Sequence, residues 1–132
     1  MHVRNAMTPS VLTIGPSHTL RQAAQQMAAR RVGAAVVLDP EADGPGILTE
    51  RDILDAVAQS LDPDVELAAD HLTPEAVVAT PDWPLTDAAT AMLAGGFRHL
   101  VVSDGGEVVG VLSVRDLLRA WSEQGAPALS GR

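Results

Sequence analysis

The chain carries one pattern twice, and this duplication constrains its folding more than any other feature. Thr8-Pro9, Leu20, Ala23-Ala24, Met27, Val36-Val37 and Asp39 return 65 residues later as Thr73-Pro74, Leu85, Ala88-Ala89, Met92, Val101-Val102 and Asp104. Past the turn that follows Asp39 the offset drops to 64, and Gly46-Ile-Leu-Thr-Glu-Arg-Asp-Ile-Leu54 returns as Gly110-Val-Leu-Ser-Val-Arg-Asp-Leu-Leu118. A register that holds through a unit and steps once, at a turn, marks an internal duplication. Each copy has about 60 residues, a length at which burial alone gives only marginal stability, so the copies are expected to fold against each other. The boundaries read as residues 1–62 for the first repeat and 63–123 for the second. Residues 124–132, rich in Gly, Pro, Ala and Ser, read as a flexible C-terminal tail.

Within each copy the hydrophobic period changes in the same order. In the first, a short strand at Val11–Ile14 precedes a helix with Leu20, Ala23, Ala24, Met27 and Ala28 on one face, opened by the capping-box pair Thr19 and Gln22. Ala34–Leu38 is a continuously apolar strand, and Asp39–Gly46 is dense in turn residues. Ile47-Leu48 is a brief return strand, and Thr49 opens a second helix. The second copy repeats this with Val77-Val78, a helix from Leu85 stopped at Gly95-Gly96, strands at Leu100–Val102 and Val108–Leu112 across an Asp104-Gly-Gly106 turn, and a helix over 114–122. Each copy thus reads β-α-β-β-α, an α+β fold. The leading strand of each lacks a hairpin partner, which suggests strand exchange between the copies.

Composition narrows the function. The net charge of −8 opposes a nucleic-acid or anionic-membrane footprint, and all nine basic residues are Arg. Without cysteine there is no thiolate chemistry, disulfide or cysteine-ligated metal. His2, His18, His71 and His99 share no ligand spacing, so no metal site is expected. No signal peptide or membrane-length apolar run is visible, and a cytoplasmic location is expected. P-loop, dinucleotide and nucleophile-elbow glycine patterns are all missing, so no enzyme activity is expected.

The chemistry concentrates at the repeated helix start, Thr49-Glu-Arg-Asp52 and Ser113-Val-Arg-Asp116. A hydroxyl followed three residues later by an acid is first of all a helix cap. The same geometry offers free N–H groups and a hydroxyl to a phosphate, and a carboxylate whose two oxygens match the two alcohols of a ribose. Hydroxyl and acid together therefore suit a ribose 5′-phosphate.

The doubled unit resembles a tandem pair of cystathionine-β-synthase (CBS) domains, also called a Bateman module. The Met-Thr-Pro lead-in, the Gly33-Ala-Ala-Val-Val37 and Arg98-His-Leu-Val-Val102 strands and the doubled Gly-(Ile/Val)-Leu-(Thr/Ser)-x-Arg-Asp ending carry the resemblance over roughly residues 3–120. It implies two three-stranded sheets related by a pseudo-twofold axis and two clefts that take AMP, ADP, ATP or S-adenosylmethionine, with no obligatory cofactor. In one cleft it assigns Asp116 to the ribose and Ser113 to the phosphate side, Thr13, Val32, Gly33 and Ala34 to the base, and Arg98 and His99 to the phosphates. In the other it assigns Asp52 and Thr49, with Val78, Ala79, Phe97, Arg98 and His99 around the base. Gly33-Ala34 in one copy against Arg98-His99 in the other makes the clefts unequal. The resemblance also implies a homodimer formed through the helices, a stand-alone sensor, and a separate protein effector that reads its state. The competing reading is a non-catalytic dimeric scaffold with vestigial clefts.

Overall fold

The computed structural model describes residues 1–124, so the tail expected over 124–132 lies almost wholly outside the described residues. The chain forms two compact units that do not follow the repeat boundary. One is Val11–Ala76; the other joins Met1–Ser10 to the chain from Val77 onward.

In the first unit, β1 (Thr13–Ile14), β2 (Ala34–Val37) and β3 (Gly46–Thr49) form one sheet in that order. β1 runs parallel to β2, and β2 antiparallel to β3, with Ala34 opposite Thr49. Helices α2 (Leu20–Arg30) and α3 (Glu50–Ala58) belong to the same unit, and a short helix α1 (Val3–Ala6) precedes them in the chain. Thr19 caps α2 as its sequence indicates: its hydroxyl accepts from Gln22 N, and Gln22 Oε1 accepts from Thr19 N. Leu20, Ala23 and Met27 face a core shared with Leu12, Ile14, Ala35, Val37 and Leu48.

The second unit repeats this plan. β4 (Val78–Ala79) runs parallel to β5 (His99–Asp104), which pairs antiparallel with β6 (Glu107–Ser113). Helices α4 (Leu85–Gly95) and α5 (Val114–Glu123) accompany them. The core holds Val3, Ala79, Leu85, Met92, Leu100, Val102, Leu112 and Leu117, with Trp83 and Phe97 packed at its margin.

The leading strands are not exchanged. Each pairs in parallel with the middle strand of its own repeat, because the intervening helix supplies the crossover that parallel strands require. What crosses from one repeat to the other is the lead-in. Thr8 exchanges two backbone hydrogen bonds with Val111 (2.9 and 3.1 Å), and Thr73 does the same with Ile47 (2.9 and 3.0 Å). Met1 O accepts from Leu85 N as Glu66 O accepts from Leu20 N; Val3 N donates to Trp83 O as Ala68 N donates to His18 O. Both pairs keep the 65-residue offset. The lead-in helix α1 (Val3–Ala6) and its counterpart, the 3₁₀ turn Ala68–Asp70, were not legible in the sequence.

This docking explains two glycines. A Cβ on Gly110 would lie 2.7 Å from Met7 Sδ and 3.1 Å from Thr8 O, and one on Gly46 would lie 3.1 Å from Leu72 and 3.3 Å from Thr73 O. The lead-in passes too close for a side chain. The segment Asp62–Glu66 between the repeats is held by contacts of its own. Arg21 pairs with Asp64, Arg21 N donates to Pro63 O, and Glu66 meets His71 Nε2 at 2.8 Å. Asp64, chiefly through that hydrogen bond, raises the Arg21 guanidinium above its ordinary pKa.

Equivalent helix ends show unequal solutions. α4 stops at Gly96 with φ 69°, whereas α2 stops at Arg31 with φ 56°, in the same left-handed region. A side chain there costs about 1–2 kcal/mol, against about 0.5–1 kcal/mol for glycine's greater unfolded freedom. Arg31→Gly is therefore expected to raise stability by about 0.5–1 kcal/mol, read as a higher urea midpoint. An unchanged or lowered midpoint would refute the strain.

Candidate functional site

Both helix starts form complete capping boxes. At α3, Thr49 N donates to Asp52 Oδ2 at 2.8 Å and Asp52 N donates to Thr49 Oγ1 at 3.2 Å. At α5, Ser113 N donates to Asp116 Oδ2 at 2.9 Å and Asp116 N donates to Ser113 Oγ at 3.1 Å. Each acid spends one oxygen on its cap, and each hydroxyl keeps its own proton for donation. Capping of this kind contributes about 1 kcal/mol, and the chain leads into each helix from an extended residue as caps require.

In the first unit the structure brings Gly33, Ala34, Thr49 and Asp52 to one corner. Gly33 O accepts from Glu50 N at 2.9 Å, and Ala34 stands opposite Thr49 across the sheet. The Glu50 carboxylate lies over Gly33, 3.1 Å from where a Cβ would be. Val32 is half-buried against the core, and Thr13 is exposed on β1, opposite Val36. In the second unit the matching corner holds Arg98, His99, Ser113 and Asp116. Arg98 O accepts from Val114 N at 3.0 Å, and His99 pairs in register with Ser113. Phe97 is partly buried, Arg98 exposed, Val78 exposed opposite Val101, and Ala79 fully buried opposite Val102.

The corners differ in charge. The first carries Glu50 and Asp52 in the opening turn of its helix; the second carries Asp116 alone there, and has Arg98 where the first has Gly33. Asp116 is also the only buried charged residue among those described, and its Oδ1 receives Arg119 Nη2 at 2.7 Å. Arg119 was missed in the sequence, although the Asp116/Arg119 spacing of three is a readable helical pairing signal.

Nothing in the described residues gathers three or more His, Asp or Glu side chains into a possible metal site, and no helix is long and apolar enough to cross a membrane. His18 Nδ1 accepts from Gly15 N at 3.0 Å, and His71 engages Glu66.

The CBS domain model matches residues 3–59 and 68–123. An uncharacterized 17.7 kDa protein of Acidianus ambivalens is 37% identical over 120 residues, which cover 89% of this chain and 71% of that protein. The CBS domain protein PAE2072 from Pyrobaculum aerophilum, solved in complex with AMP, is 31% identical with a TM-score of 0.80, covering 93% of this chain and 99% of that one. A hexameric CBS-CP12 protein from bloom-forming cyanobacteria aligns with a TM-score of 0.87 at 25% identity, over 93% of this chain and 73% of that one. Other curated relatives are longer: the chain spans 41% of one from Methanocaldococcus jannaschii and 21% of one from Arabidopsis thaliana.

Proposed function

The chain belongs to the CBS-domain family, and we propose that it is a regulatory sensor of an adenine nucleotide or related adenosyl ligand, drawn from AMP, ADP, ATP and S-adenosylmethionine. The observation that carries this reading is the duplicated hydroxyl–acid helix start, in which Asp52 spends Oδ2 on its cap and retains an oxygen to accept from ribose alcohols. The AMP held by PAE2072 supports the ligand class. Asp52 and Asp116 are the candidate acids for the sugar, one in each repeat, and Thr49 and Ser113 the hydroxyls for the phosphate side. Thr13, Val32, Gly33, Ala34, Val78, Ala79 and Phe97 surround the base, with Arg98 and His99 toward the phosphates. Micromolar affinity requires about 8 kcal/mol, more than one or two charge-assisted hydrogen bonds at roughly 1.5–3 kcal/mol each contribute. Burial of the base against these small apolar residues supplies the remainder. The output is a change of shape or association, driven by unequal ligand affinity for two states and read by a separate protein, and no chemistry is performed on the ligand.

Thermal melting with each ligand tests this. A ligand at about 100 times its Kd stabilises by about 2.7 kcal/mol, a rise of roughly 5–15 °C for a chain of this size. Asp52→Asn is expected to remove most of that rise. No shift with any of the four at millimolar concentration rejects the sensor.

One observation favours a dimeric scaffold as the second reading. Leu54 and Val57 on α3 are 60% and 53% exposed, and their counterparts on α5, Leu118 and Trp121, are 50% and 39% exposed. An apolar pair left uncovered at the same place in both repeats fits a homodimer formed through these helices. A dimer that persists without any ligand response would favour this reading.

A further inference from the structure

Two acids that the duplication makes equivalent are not chemically equivalent. Asp116 has both oxygens engaged, Oδ2 by Ser113 N at 2.9 Å and Oδ1 by Arg119 Nη2 at 2.7 Å. Its side chain is only 6% exposed. Arg119 is itself tethered, because the same Nη2 reaches Ala6 O, the carbonyl near the end of the lead-in helix, at 3.4 Å. In the first repeat the position of Arg119 is taken by Asp55, at the offset of 64. Asp55 faces away from this role, accepting from Arg51 Nε at 3.2 Å. Asp52 keeps its capping bond, has no cation one turn on, and is more open to solvent.

We infer that Arg119 is a specificity-determining residue: a built-in counter-ion that occupies the diol-accepting oxygen of Asp116 and leaves Asp52 as the acid that receives the ribose. This rests on the adenosyl-ligand reading above. A carboxylate oxygen that already accepts from a guanidinium, on a side chain only 6% exposed, has less charge and less room to offer neutral alcohols than the unengaged oxygen of Asp52. The two sites then differ in affinity for a reason written at one position, Arg in the second repeat and Asp in the first.

Isothermal titration with AMP tests it in the full chain. The wild type is expected to bind one AMP per chain with measurable heat. Arg119→Met, which keeps the apolar stem and removes the guanidinium, is expected to open a second site and raise the stoichiometry to two. Asp55→Arg, at an exposed position, places the same cation one turn after Asp52 and is expected to weaken the wild-type site at least tenfold. Two AMP per wild-type chain, an unchanged stoichiometry in Arg119→Met, or unchanged affinity in Asp55→Arg overturns the inference while leaving the sensor intact. The same titrations are run with ADP, ATP and S-adenosylmethionine, and the absence of binding of all four in both the wild type and Arg119→Met overturns the adenosyl reading and the inference with it.

Discussion

A chain beginning at Val11 is expected to lose the folded unit built on the second repeat while retaining the one built on the first. Residues 1–10 supply Val3, fully buried in that unit's core, and the only backbone partner that β6 has on its outer edge near Val111 among the described residues. They also supply the Met1 carbonyl for Leu85 N and the donors Val3 N and Arg4 N for Trp83 O and Pro81 O. Burying a valine contributes about 1.5–3 kcal/mol, and each backbone bond about 0.5–1.5 kcal/mol. Their joint loss, about 5 kcal/mol or more, approaches the whole stability of a small domain. The chain's two tryptophans, Trp83 and Trp121, both lie in the affected unit. Their emission should shift to that of exposed indole and show no cooperative urea transition, while helical circular dichroism from the first unit persists. A tryptophan transition at the full-length midpoint would show that the lead-in is dispensable.

Leu100→Ala is the point substitution with the largest expected cost. Leu100 is fully buried near the start of β5, the central strand of its sheet, and stands opposite the equally buried Leu112 of β6, so its surroundings have little freedom to collapse into the space left behind. Substitutions of this kind cost about 2–5 kcal/mol. Leu93→Ala, at a position 85% exposed on α4, should change stability by no more than about 0.5 kcal/mol. Urea unfolding followed by tryptophan emission measures both. Equal effects at the two sites would mean that β5 is not the core strand described above.

Much of each repeat could be read from the chain because its elements announce themselves locally. The Thr19–Gln22 spacing places the start of α2, the Leu20/Ala23/Met27 stripe its buried face, and Gly95-Gly96 the end of α4. The helix-start acids were legible for the same reason, since a capping box is closed within four residues. The strand exchange was misjudged because a two-residue strand carries no periodicity of its own. Its partner is settled by the crossover helix, which is not a property of the strand.

What the sequence determined alone was the duplication, the order of elements and the paired helix caps of Thr49–Asp52 and Ser113–Asp116, all short-range signals repeated at a fixed offset. Tertiary structure decided what depends on distant segments meeting. It placed the first ten residues on the second repeat, made the segment Asp62–Glu66 part of the first unit, and joined Ala6 through Arg119 to Asp116. The physical reason is that burial and backbone pairing act between whichever surfaces close the core. Chain adjacency constrains that choice only weakly, because the entropy of loop closure rises slowly with length.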